Sequence, residues 1–194
     1  MEKVIFEARA MRTKYLESCT GSRQPVAINT EKFAKVVEKE TGYSVESIII
    51  NDMEHLRGMI VRFPEKKAIV FVSDHNNDCW RRFTFIKEIS HLFIETTPEC
   101  FNSDAYEQAK ALVDQYQTQD DVSDESRKLL RAEVIGLVAA MEIMIPNELI
   151  PYIAHLSNVE KMLPYAIASR LRAPQKFLEF KMRQHDIAIN TPPN

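Results

Sequence analysis

Cys79 to Ile94 reads CWRRFTFIKEISHLFI. Apolar residues fall at Trp80, Phe83, Ile86, Ile89, Leu92 and Phe93, a spacing that follows a helix and not a strand. No Gly or Pro interrupts the run. Inside it sit Lys87, Glu88, Ile89, Ser90 and His91. Residues four apart on a helix project from one face, so Lys87 and His91 should be neighbours. The zinc-peptidase helix H-E-x-x-H uses this spacing: two imidazoles hold the metal, and the Glu after the first deprotonates a metal-bound water. Here the Glu and the second His are present, and Lys87 stands where the first His would be. An ammonium has three donors and no lone pair, so it cannot ligate zinc without losing its proton.

Outward from this helix, Gly58–Phe63 and Ala68–Val72 are β-branched runs joined by Pro64, Glu65, Lys66 and Lys67, a hairpin pattern. Ile48, Ile49 and Ile50 form an earlier apolar run, and the polar loop Asp74–Asp78 leads into the helix. Downstream, Glu133 to Pro146 reads EVIGLVAAMEIMIP, apolar on nearly every side from Val134, so Glu133 is expected to be buried. Gly136 and Ala140 fall on the face of Glu133. A helical Gly costs about 1 kcal/mol relative to Ala. Close approach of the central helix, or of a metal, would account for it.

The segment Gly58 to Ile94 resembles the metallopeptidase core of the ImmA/IrrE family, whose members run a β-hairpin into an RFTxxHExxH helix. Arg82, Phe83 and Thr84 match that pattern, as do Glu88 and His91. The family's second helix, loosely E-x-x-A-x-x-F-A-A-x-L-L-M-P, is matched by Glu133, Gly136, Ala140 and the Ile143–Pro146 end, with Ala139 in place of the Phe. The resemblance implies a zincin-like α+β fold: helix-dominated, with a small antiparallel β-sheet packed beside the active-site helix. It implies Glu88 as general base and His91 and Glu133 as zinc ligands. Lys87 is the substitution that alters the site.

Three readings of Lys87 follow. It faces solvent and the site is lost; its ammonium takes the place of zinc and pairs with Glu133; or His91, Glu133 and Glu88 bind a metal weakly without it. The second is preferred, because a cation beside buried carboxylates replaces the one the site otherwise needs. Zinc is thus implied by resemblance, with the expectation that none is bound. The function expected is that of a degenerate metallopeptidase-like protein acting by protein binding in phage, mobile-element or stress-response control. Its partner class, by resemblance, is a helix-turn-helix repressor. The alternatives are an active zinc endopeptidase cleaving such a repressor, with Glu88 as base, and a non-catalytic toxin–antitoxin component.

The chain of 194 residues supports one domain. We expect N-terminal helices over 1–44, sheet and KEISH helix over 45–95, an insertion over 99–123 and a helical part over 124–194. From His91 to Glu133 is 42 residues (133 − 91), which is what marks the insertion. Helices are expected at 2–18, 31–40 (capped by Asn29 or Thr30), 105–116, 147–156, 159–171 and 174–184, with a frayed tail at 190–194. Charge is nearly balanced, 25 basic against 28 acidic residues, so direct nucleic-acid binding is not expected. Three cysteines without a C-x-x-C pair fit a reducing compartment. There is no secretory leader pattern, and the apolar run Val134–Met141 is too short for a bilayer, so a cytoplasmic location is expected.

Among other residues, Glu142 is expected at the rim, and the basic residues of 170–183 on a solvated face. Trp80, Phe83 and Phe85 are expected in the core. His75 with Asp74 could supply a substitute ligand, though a loop His is ordinarily solvated. His55, His155 and His185 lack a partner pattern.

Overall fold

A computed structural model describes residues 1–19, 27–51, 57–94 and 124–189, with the backbone alone for 124–130. The expected helix at 105–116, the insertion, His55, Cys100 and the tail lie outside these residues.

Helix α1 (Glu2–Ser18) buries Val4, Ala8, Met11 and Tyr15, a stripe at helical spacing. Helix α2 (Thr30–Thr41) starts where the Asn29 side chain accepts from the Lys32 amide at 2.9 Å, and it buries Phe33, Val36 and Val37. Strand β1 (Ser44–Ile50) follows, then β2 (Gly58–Phe63) and β3 (Lys67–Ser73).

The sheet order is β1-β3-β2. The expected β2–β3 hairpin is present and antiparallel. The third strand departs from expectation: β1 pairs parallel to β3, from Ser44 against Lys67 to Ile50 against Ser73, so the sheet is mixed. β3 carries apolar side chains on both faces, burying Ala68, Val70 and Val72 on one, and so takes the central place. β1 is left as an edge with Ile48 and Ile49 exposed.

Helix α3 (Asp78–Ser90) is the central helix. Asn77 caps it by accepting from the Trp80 amide at 3.0 Å. It buries Phe83, Ile86 and Ile89, and Phe83 stacks on Phe177 with ring centroids 4.2 Å apart. Trp80 joins that cluster half-buried. The helix is shorter than the apolar spacing predicts. From His91 the chain tightens into bonds such as Leu92 N–H to Ile89 O, so His91 is the C-cap residue.

Helix α4 (Asp124–Met144) lies against both α1 and α3. After a 3-10 turn (Asn147–Leu149) come α5 (Ile150–Asn158), α6 (Pro164–Leu171) and α7 (Gln175–Gln184). The expected helix at 159–171 begins only at Pro164. Proline lacks an amide hydrogen and fits the first helical position, which fixes the start there. By length and composition, Arg131–Asn158 could cross a membrane, with mean hydropathy 1.5, and 61% of its most apolar window is buried in the fold. It is thus longer than the run read from the sequence. Its apolar residues, Ile135, Ile143 and Ile145 among them, lie in the core.

Candidate functional site

The face of α3 bearing Thr84, Lys87, Glu88 and His91 meets α4 where Glu133 and Gly136 lie. The two helices touch closely. A Cβ on Gly136 would sit 2.7 Å from His91 Nε2, 2.9 Å from His91 Cε1 and 3.1 Å from Lys87 Cγ. The expectation of close approach at Gly136 is met by the side chains of the central helix. Gly58, the first residue of β2, plays the same part on the other side. A Cβ there would strike the Thr84 methyl and come within 2.7 Å of the Phe71 carbonyl oxygen. A strand and a helix are thereby held against the α3 face that carries Glu88.

Lys87 is folded inward, its side chain only 14% exposed. Its ammonium donates to Glu133 Oε2. It also lies 3.0 Å from Glu88 Oε1, without the alignment of a hydrogen bond, so that oxygen is buried with no hydrogen-bond donor among the described residues. Glu88 is 3% exposed. Glu133 is not buried as its helix pattern suggested: its side chain is 57% exposed. The apolar run begins one residue later, at Val134, and Glu133 reaches across the rim to the lysine.

The charges shape one another. Burial pulls the Lys87 ammonium down, but attraction to Glu88 and Glu133 outweighs it and leaves its pKa raised. Burial pushes the Glu88 carboxyl up, only partly offset by Lys87. His91 is pushed down to about 4, first by burial and then by the positive charge of Lys87. The imidazole is therefore neutral near pH 7. Arg62, from β2, donates to the His91 carbonyl at 3.4 Å, a contact with no motif in the sequence.

The residues predicted for the site, Lys87, Glu88, His91 and Glu133, are thus brought together. A catalytic zinc ordinarily takes three protein ligands and a water. The chemistry of the donor set here does not fit that requirement. His91 and Glu133 are two donors, and the third position is filled by a protonated amine bonded to one of them. Among the described residues no group of three His, Cys, Asp or Glu side chains could hold a metal ion. His75 is exposed in the loop before α3, 3.7 Å from Asp74, and His155 lies 3.5 Å from Glu160 on the surface.

Two expectations outside the site are corrected. Glu142 is not at the rim but 3% exposed, accepting from Arg9 at 2.7 Å and Lys181 at 3.2 Å. Lys181 is correspondingly buried, 6% exposed, and also donates to Asn147 Oδ1 at 3.0 Å. The helix carrying Glu142 is apolar on every other side, which signals burial; the lysine 39 residues on has no local signal.

No protein-family model matches the sequence, and no curated protein matches it at a meaningful level. Among solved structures, the fold is similar to a chain described as a Mycobacterium tuberculosis transcriptional regulator, with TM-score 0.52 and 13% identity. The likeness covers 94% of this chain and 47% of that one. At this identity it speaks for the fold: helix-dominated α+β with a small mixed sheet.

Proposed function

We propose that this chain is a zincin-like protein of ImmA/IrrE type in which a lysine has replaced the metal, and that it acts by binding a protein in transcriptional control. The observation that carries the reading is the placement of the Lys87 ammonium. It sits one helical turn from His91, bonded to Glu133 and 3.0 Å from Glu88. In a peptidase of this type the divalent ion neutralises these same carboxylates. Here a single positive charge does so, and the neutral His91 packs on Gly136. What survives is the close seat of α3 on α4, with the ammonium where a metal would lie. The similar structure is that of a transcriptional regulator, which supports a regulatory setting, and the resemblance of the sequence supports a helix-turn-helix repressor as the partner class.

The test is metal content. Protein purified without added metal and dialysed against zinc is expected to hold well under one zinc per chain by mass spectrometry. Lys87→His is expected to raise this toward one, because it restores the third ligand. Stoichiometric zinc in the unaltered chain would overturn the proposal. Binding is separated from catalysis by Glu88→Gln: a repressor partner should be retained equally by both forms and cleaved by neither.

A further inference from the structure

The start of α3 borders a cavity of about 490 Å³ lined by Asp78, Cys79, Arg81, Arg82, Ser169 and Arg172. That volume lies in the range of small-molecule sites, about 300–1,000 Å³. We propose that this cavity binds the phosphate group of a small phosphorylated ligand. The proposal is independent of the Lys87 site.

Three guanidiniums face one carboxylate. The carboxylate is a poor partner: Asp78 is 94% exposed and 3.7 Å from Arg81. Arg172 has no ion pair among the described residues, and its charge bears directly on Arg82. Burial, and then Arg172, hold the Arg82 guanidinium below its usual range. Among the described residues that line the cavity, Asp78 alone opposes three positive charges, an excess that suits an anion.

The arginines are also positioned. Arg82 donates to the Ile28 carbonyl, and Arg81 to the Asp74 carbonyl at 2.9 Å, so both are anchored through one nitrogen. The Nε atoms of both are buried with no acceptor among the described residues. Arg172 caps α6 in the left-handed conformation that commonly ends a helix, φ 52° and ψ 39°, which fixes the backbone from which its side chain reaches the cavity. Ser169 adds a hydroxyl to the lining, and the first turn of the 13-residue α3 adds the positive end of its dipole.

Planar guanidiniums recognise phosphate through paired N–H donors. A small ligand is favoured over a nucleic acid because the basic cluster is confined to one cavity on a chain of net charge −3.

The experiment uses the full chain, with inorganic phosphate and phenyl phosphate as probes and chloride at matched ionic strength as control. Both phosphates should raise the melting temperature saturably, by roughly 5–10 °C at about one hundred times Kd. Arg172→Gln should weaken binding about ten- to a hundredfold in calorimetry. Arg172→Gly, which suits the left-handed backbone and removes the repulsion of Arg82, should be at least as stable as the parent without phosphate and should lose the response. An equal response in Arg172→Gln, or a rise reproduced by chloride, overturns the proposal. So does a single-stranded oligonucleotide that binds more tightly than phenyl phosphate.

Discussion

Glu133 and Glu142 lie nine residues apart on α4 (142 − 133), which at about 100° per residue puts them on opposite faces. Each meets a lysine. On the inner face Lys181 and Glu142 are both buried, and both carboxylate oxygens are taken, one by Arg9 and the other by Lys181. This cluster ties α1, α4 and α7 together. Across the helix, Lys87 is shared between an exposed Glu133 and a buried Glu88 whose Oε1 lacks an aligned donor. The same chemical pair is complete in one place and incomplete in the other. A fully partnered buried pair marks architecture, whereas one left partly unsatisfied, beside a neutral His91 and a helical glycine, marks a candidate site.

The contrast has measurable consequences. Removing one partner of the inner pair should be the most damaging change: Glu142→Ala should lower unfolding free energy by about 3–5 kcal/mol in urea titrations. A loss below about 1 kcal/mol would show that the cluster holds nothing together.

Acid should expose the histidine of the outer site next. The folded pKa of His91 is about 4 against an ordinary 6.5. Between those values the unfolded chain binds a proton that the folded chain does not. Stability therefore falls as pH drops from about 6.5 to about 4, by up to roughly 3 kcal/mol from this group. Glu88 opposes it, because a raised folded pKa gives the native state the earlier proton. The difference between the parent and His91→Gln across the pH range isolates the histidine. Parallel pH profiles for the two proteins would refute its burial as a neutral base.

Gly136→Ala gains about 1 kcal/mol in helix propensity but drives a methyl into His91 and Lys87. The net expected loss is about 1–2 kcal/mol, read by thermal unfolding, with a shift of the His91 ring signals in NMR. The smallest effect belongs to Glu133→Ala. Its exposure limits the pair to about 1 kcal/mol or less. A loss as large as that of Glu142→Ala would erase the distinction between the two faces.

The sequence carried α3 and the β2–β3 hairpin in local patterns, apolar spacing in one and β-branched runs about a short turn in the other. Lys87, Glu88 and His91 were legible because their spacing puts them on one helix face, and Glu133 because the family resemblance pointed to it. The parallel placement of β1 was not, since no local feature of Ser44–Ile50 names its partner strand. Burial of Glu142 was implied by the apolar helix around it, yet its ion pairs reach to Arg9 and Lys181, far away in the chain. The exposure of Glu133 turned on a single position at the edge of an apolar run, finer than periodicity resolves.

The packing of α1 against α4 sets a timetable for the nascent polypeptide. From Ser18 to Asp124 is 106 residues (124 − 18), so on a ribosome adding about 5–20 residues per second the first helix waits roughly 5–20 s for its neighbour. Until then the part of α1 that α4 covers lacks its neighbour, and α2 is the earlier helix that can shield the rest. Truncated chains ending before α4 should therefore be the ones that engage chaperones.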